Sequence, residues 1–267
     1  MHPLDKTAKL IRQDILKSLN AAGSGHSAGP LGMADVFTAL FFKVANIRPT
    51  ETDWPERDRI LLSNGHICPV LYATMAHAGY FPVEELMTLR KLGSRLQGHP
   101  HRTDLPGLDS TSGPLGSGTS QAAGMALGFK MNKTPQHVWC LTSDGEQQEG
   151  NTWEGVMFAA AKKLDNLTVI MDRNYIQIDG NTEDVMPLDP LADKYRAFNW
   201  NVLEVDGHDI EAVISIMEQS KHLNQAPTLI IANVIPGKGV SFIENDYIWH
   251  GKAPSNDELT RALKELA

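Results

Sequence analysis

Cysteine is scarce in this sequence: Cys68 and Cys140 are the only two among 267 residues. That excludes a disulfide framework and a zinc site built from paired thiolates. No apolar run approaches the roughly 18–20 residues of a membrane-spanning helix, so no membrane association is expected. The opening Met1-His2-Pro3-Leu4-Asp5-Lys6 lacks the charged-then-apolar layout of a signal peptide, and a reducing cytoplasm is the expected location. Positive charge is also short. Lys and Arg total 24 against 32 Asp and Glu, a formal net charge of −8 with no basic stripe, which argues against nucleic-acid binding. A phosphorylated ligand stays compatible with that charge, because histidines and backbone amides can hold phosphate inside an acidic protein.

What the chain does have is apolar segments with alternating periodicities. Helical spacing covers 4–21, about 33–44, 67–79, 83–91, 119–131, 151–163, 190–198 and 209–223. Strand-like runs occupy 59–63, 137–142, 167–172, 201–205 and 228–234. Strands alternating with helices predict an α/β fold with a mostly parallel central sheet, helices on both faces, and one domain over residues 1–267. Between 93 and 118 runs a long loop rich in glycine and proline, which is more often functional than connecting.

The segment Ser143-Asp144-Gly145-Glu146-Gln147-Gln148-Glu149-Gly150-Asn151 follows one predicted strand, and Asn174 follows the next. In a parallel βαβ unit both exits open on the ligand-binding edge of the sheet. An acid and an amide there suit a hard divalent cation that keeps positions open for phosphate oxygens. Glu146 adds a second carboxylate beside that site, and an outward orientation is expected for it. Of ten histidines, five adjoin glycine: His26, His66, His99, His208 and His250. Glycine allows close backbone approach and imidazole can donate or accept near neutral pH, so at least three are expected in one pocket. Ser112-Gly113-Pro114-Leu115-Gly116-Ser117-Gly118 precedes a helix, where free N–H groups can meet an anion or a polar heterocycle. It matches neither a Walker A loop nor a GxGxxG fingerprint. His77, His137 and His222 are read as structural or surface residues, and Trp153 and Trp249 as packing.

Taken together in order, several segments resemble the N-terminal, diphosphate-binding part of transketolase. They are Gly23-Ser24-Gly25-His26-Ser27-Ala28-Gly29-Pro30-Leu31-Gly32-Met33-Ala34-Asp35, Leu62-Ser63-Asn64-Gly65-His66, Gln97-Gly98-His99-Pro100, Ser112 to Gly116, Ser143 to Asn174, Pro236-Gly237-Lys238-Gly239 and Trp249-His250-Gly251-Lys252. The family's metal motif usually begins Gly-Asp-Gly, and Ser143 here replaces its first glycine.

The resemblance implies thiamine diphosphate and Mg²⁺ (or Ca²⁺) as cofactors. Asp144, Asn174 and the Ile176 carbonyl would hold the metal. Gly145, His66 and His250 would meet the diphosphate, and Gly113, Pro114 and Leu115 the aminopyrimidine. His26, His66, His99 and His250 would serve catalysis, and Glu149 would link paired active sites. The implied reaction transfers a two-carbon ketol unit from a ketose phosphate to an aldose, as in pentose phosphate metabolism. Only about two dozen residues follow Val240, too few for the family's pyrimidine-binding domain. A separate C-terminal transketolase subunit in an α2β2 assembly is therefore expected. Two other readings compete: the α subunit of a 2-oxo acid dehydrogenase, and a metal-dependent hydrolase using His99, His101 and Asp104.

Overall fold

The computed structural model describes residues 2–267. Its first half is largely helical: α1 (Asp5–Ala22), α2 (Ala28–Gly32) and α3 (Ala34–Ala39), which runs into a π-helical turn at Leu40–Val44. Strand β1 (Arg59–Leu62) and helix α4 (Cys68–Ala78) follow, then α5 (Ser117–Asn132), β2 (Val138–Ser143), α6 (Gly150–Ala161) and β3 (Leu167–Arg173). A short antiparallel hairpin, β4 (Ile176–Gln177) and β5 (Gly180–Asn181), leads through α7 (Thr182–Val185) and α8 (Leu191–Ala197) to β6 (Asn201–Asp206). Helix α9 (Ile210–Ser220), β7 (Thr228–Asn233) and α10 (Asn256–Glu265) complete the chain.

The five long strands form one parallel sheet in the order β1-β2-β3-β7-β6. Burial explains its composition. Every residue of β2 and β3 is buried, as a parallel strand covered on both faces requires. Alternate side chains enter opposite cores: Trp139, Leu141 and Ile170 face the layer holding α1, α3, α4 and α9, whereas Val138, Cys140, Val169 and Met171 face that of α5, α6 and α8. The stripe Phe37, Leu40, Phe41 and Val44 is core. Both cysteines are buried free thiols. Among the described residues, no helix is long and apolar enough to cross a membrane.

Two predicted helices differ in detail. The segment expected as helix over 83–91 is a 3₁₀ helix at Val83–Thr88, ended where Arg90 turns into the left-handed region with φ 59°. The helix expected over 33–44 is α-helical over Ala34–Ala39 and widens into the π-turn at Leu40–Val44. Helix α10 has a clear signal that the periodicity reading passes over. Ser255 accepts from the Glu258 N–H while the Glu258 carboxylate accepts from the Ser255 N–H, a reciprocal capping box. Removing that cap in Ser255→Ala should cost about 1 kcal/mol of stability. Thermal or urea unfolding checks this, and an unchanged midpoint would contradict it.

Candidate metal–diphosphate site

The site lies at the carboxyl edge of the sheet, and strand register builds it. Ser143 pairs with Asp172 across β2 and β3, so Asp144 and Asn174 leave the sheet beside one another. Asp144 is fully buried. Its Oδ1 accepts from the Gly145 N–H at 2.7 Å and its Oδ2 from the Tyr175 N–H at 2.7 Å. Burial pushes its carboxyl up to about 6, opposed by those two N–H groups and by Arg173 at 3.4 Å. Asn174 Oδ1 accepts from the Ile176 N–H at 3.0 Å, which turns the chain into the β4–β5 hairpin. Asp172 is also fully buried with neither oxygen paired, and burial, reinforced by Asp144, drives its carboxyl far above the usual range.

Above this floor a cavity of about 310 Å³ is lined by His26, His66, His99, His250, Gly113, Leu115, Ser143, Gly145, Glu146, Gln148, Glu149, Asn174 and Ile176, with Gln177 and Ile178 at the hairpin side. Each histidine arrives from a different part of the chain: His26 between α1 and α2, His66 after β1, His99 in the long loop, His250 near the C-terminal helix. The His26, His66 and His250 rings lie 4.9–5.5 Å apart. The Nδ1 atoms of His26 and His250 are buried without a partner. Gly65 permits this convergence, because a Cβ there would lie 2.6 Å from Ser112 Cβ. Pro114 is exposed and does not line the cavity, Asp144 lies beneath it, and Glu149 stands exposed at its mouth.

His208, the fifth glycine-flanked histidine, is elsewhere. Its Nδ1 meets Asp35 at 2.9 Å while its Nε2 accepts from the Ile235 N–H, in a buried network with Arg12. His101 is exposed and bonded to Asp104 and Thr103. Trp153 packs on Tyr195 and Phe198, and Trp249 on Phe242, as expected. His77 pairs with Asp14, and His137 is buried against Thr168.

Glu146 corrects the expectation that it points outward. Its side chain is buried, with Oε1 accepting from Ser63 Oγ and from the Gly116 N–H at 2.6 Å, and Oε2 from the Ser143 N–H at 3.3 Å. Three donors offset part of its burial, which still raises its carboxyl above the usual range, and nothing in the sequence pattern marks partners so distant in the chain. Arg173 is a second feature not anticipated: 2% exposed, it bridges Asp144, Glu183 and Asp189 and stacks 3.9 Å over the Tyr175 ring. The hairpin had a local signal, the Asp179-Gly180 dipeptide.

The donor set fits a hard cation with a diphosphate. It offers a carboxylate, an amide oxygen and a backbone carbonyl beside glycines and unpaired imidazoles. Among the described residues no group of three or more His, Cys, Asp or Glu is gathered for a metal. A parallel α/β sheet with such a donor set at its strand exits has the layout of a ligand-binding α/β protein that can take a diphosphate there.

Comparison with known proteins narrows that class. Residues 4–267 match the family of the transketolase thiamine-diphosphate-binding domain. A 6-deoxy-6-sulfo-D-fructose transketolase subunit from Clostridium sp. (strain MSTE9) is 41% identical over 263 residues, 98% of this chain and 96% of that protein. A subunit of apulose-4-phosphate transketolase from Actinobacillus succinogenes is 40% identical over 264 residues, covering 98% and 95%. The solved transketolase from Leishmania mexicana superposes with a TM-score of 0.93 at 30% identity, over 100% of this chain and 41% of that one. The chain therefore belongs to the transketolase family, in its thiamine-diphosphate-binding domain, and stands among transferases rather than hydrolases.

Burial pushes the His26 imidazole down to about 4, with His250, Arg90 and His99 adding to it, and brings His250 to about 4. His66 is driven well below its usual value and His99 moves the same way. Unfolded, His26 and His250 protonate near 6.5; folded, they resist protonation until about 4. The unfolded state thus takes up more protons across that window, and their contribution to stability falls as pH drops through it. Asp144 acts in the opposite sense between 3.8 and about 6, since its folded form holds a proton longer. Replacing His26 and His250 together by Asn isolates the imidazole part. The fall in thermal midpoint from about pH 7 to about pH 5 should be smaller in the double variant, and an equal fall would contradict this assignment.

Proposed function

We propose that this chain is the diphosphate-binding subunit of a split transketolase, which transfers a two-carbon ketol unit from a ketose with an anionic tail to an aldose. The observation that carries the reading is the set of four imidazoles gathered over the Asp144–Gly145 turn and Asn174, with the His26 and His250 Nδ1 atoms buried and without a partner among the described residues. Support for a split enzyme comes from the two relatives named as subunits, each matched over at least 95% of its own length. The Leishmania transketolase chain is matched over only 41%.

In this reading Asp144, Asn174 and the Ile176 carbonyl hold Mg²⁺ (or Ca²⁺), and Gly145, His66 and His250 meet the diphosphate. Gly113 and Leu115, which line the cavity, lie against the aminopyrimidine, while the exposed Pro114 stays outside it. Thiamine diphosphate, when bound, supplies the electron sink for breaking a sugar carbon–carbon bond. His26, His99 and His250 orient the ketose by its hydroxyls. As neutral rings at pH 7 each can take a hydroxyl proton at one nitrogen and donate from the other to a carbonyl oxygen. A catalytic base works best near the operating pH, and an anionic ligand beside these rings raises them toward it. Glu149, exposed at the mouth of the cavity, faces a separate pyrimidine-binding subunit in an α2β2 assembly. The free thiols of Cys68 and Cys140 suit the cytoplasm.

The two ketoses in the relatives' names differ while both carry an anionic group, so the particular donor depends on contacts beyond this constellation. A 2-oxo acid dehydrogenase α subunit would keep Asp144 and Asn174, but it gives the ketose-facing histidines no role.

Ketol transfer measured on the purified chain should be absent. It should emerge with the cognate pyrimidine-binding subunit, thiamine diphosphate and Mg²⁺, and vanish with chelator. Activity from the chain alone, or turnover of 2-oxo acids in place of ketoses, would overturn the reading. Within the active assembly, His26→Ala or His99→Ala should lower kcat/KM about a hundredfold or more, as loss of a proton-transfer group does. His101→Ala should leave it nearly unchanged.

A further inference from the structure

The Glu146 carboxylate ties together three segments that meet at the cofactor cavity. From the exit of β1, Ser63 donates its hydroxyl to Oε1 and accepts the Gly118 N–H at 3.0 Å. From the glycine-rich loop, the Gly116 N–H reaches the same Oε1 at 2.6 Å. From the exit of β2, the Ser143 N–H reaches Oε2 at 3.3 Å, one residue before Asp144. The Glu146 carbonyl extends the knot by accepting from Thr152 Oγ1 at 3.0 Å.

Close packing makes these bonds a register. Gly116 has φ 81°, and a Cβ there would lie 2.9 Å from Glu149 Cβ. A Cβ on Gly118 would overlap Ser63 at 2.2 Å. The loop therefore lies directly against the metal-side turn, with the Glu146 carboxylate between them. Charged acceptors with several donors make the stronger and more directional hydrogen bonds.

We propose that Glu146 is a positioning residue that fixes the Gly113–Ser117 loop relative to the Ser143–Gly145 turn. It keeps the surface for the ring end of the cofactor in register with the surface for its diphosphate. This rests on the functional reading above for the identity of the ligand. The coupling of loop to turn does not depend on that identity. Glu146 touches neither the metal set nor the reacting atoms in this role, and acts through the loop.

The test uses Glu146→Ala and Glu146→Gln in the assembly with the partner subunit, with two ligands and one ligand-free readout. Titrated with Mg²⁺ present, thiamine diphosphate should bind Glu146→Ala about tenfold more weakly than wild type, the scale of one lost charged hydrogen bond. Inorganic diphosphate, which engages the metal-side turn with His66 and His250 but not the glycine-rich loop, should lose less than about threefold. Glu146→Gln keeps an acceptor oxygen for Ser63 and Gly116 and should recover part of the thiamine diphosphate affinity. Hydrogen exchange without ligand should quicken at the Gly116 and Gly118 amides in Glu146→Ala while strand β2 stays protected. Equal weakening of both ligands, unchanged affinity for both, or unchanged exchange at Gly116 would overturn the proposal. If Glu146→Ala does not fold, Glu146→Gln decides in the same direction at smaller size, with thiamine diphosphate weakened more than diphosphate and exchange quickened at Gly116. A wild-type assembly that binds diphosphate but not thiamine diphosphate would remove the functional reading, while the exchange result would still judge the coupling.

Discussion

Parallel pairing of β2 with β3 sets the position of everything chemical in this protein. The register that places Ser143 opposite Asp172 delivers an acid and an amide to one edge of the sheet. Because both strands are buried on both faces, a slip by one residue would turn each apolar side chain into the wrong core. The site is thus held by the same burial that stabilises the sheet. Pairing of β1 with β2 brings Ser63 and the His66 turn to that edge, and Ser63 N–H donates directly to the Leu141 carbonyl. Distant segments then close over it, with the Gly237 N–H tied to Ala28 O at 2.8 Å and Ser27 Oγ to Lys252 O at 2.6 Å.

The electrostatic character of the site follows from that burial. Carboxyls at Asp144, Glu146 and Asp172 are raised and imidazoles at His26, His66, His99 and His250 are lowered. Desolvation disfavours charge of either sign, so burial raises the acids and lowers the imidazoles. A divalent cation and a diphosphate carry large opposite charges into this environment. Each favours the ionised form of the groups beside it, the cation the carboxylates and the anion the imidazoles. Among the described residues the Nδ1 atoms of His26 and His250 have no protein partner, which leaves them available to hydroxyls and carbonyl oxygens of a sugar.

Much of this was legible in the sequence, for identifiable reasons. The alternating helix and strand periods point to the sheet and nearly all its elements, because most strands are largely apolar runs bounded by turn residues, β6 with its Glu204 being the exception. The histidine cluster was legible from glycine neighbours, with His208 as the exception. Its glycine serves a turn packed against Val234, and its ring serves a buried strut to Asp35. Glu146 was not legible: its partners Ser63 and Gly116 lie 83 and 30 residues away, and no local pattern distinguishes a buried acid from a solvated one. The roles of Arg173 and Asp172 depend on the same kind of long-range closure. By contrast, the β4–β5 hairpin and helix α10 had local signals, Asp179-Gly180 and the Ser255 to Glu258 capping box.

The central claim is that the exits of β2 and β3 hold a metal–diphosphate pair. Anomalous diffraction from the assembly crystallised with thiamine diphosphate and Mn²⁺ tests it most directly. The account predicts one peak about 2.1–2.2 Å from an Asp144 carboxylate oxygen, Asn174 Oδ1 and the Ile176 carbonyl, with diphosphate oxygens beside it. A peak at His99, His101 and Asp104, or a diphosphate bound away from Gly145 and Asn174, would contradict it.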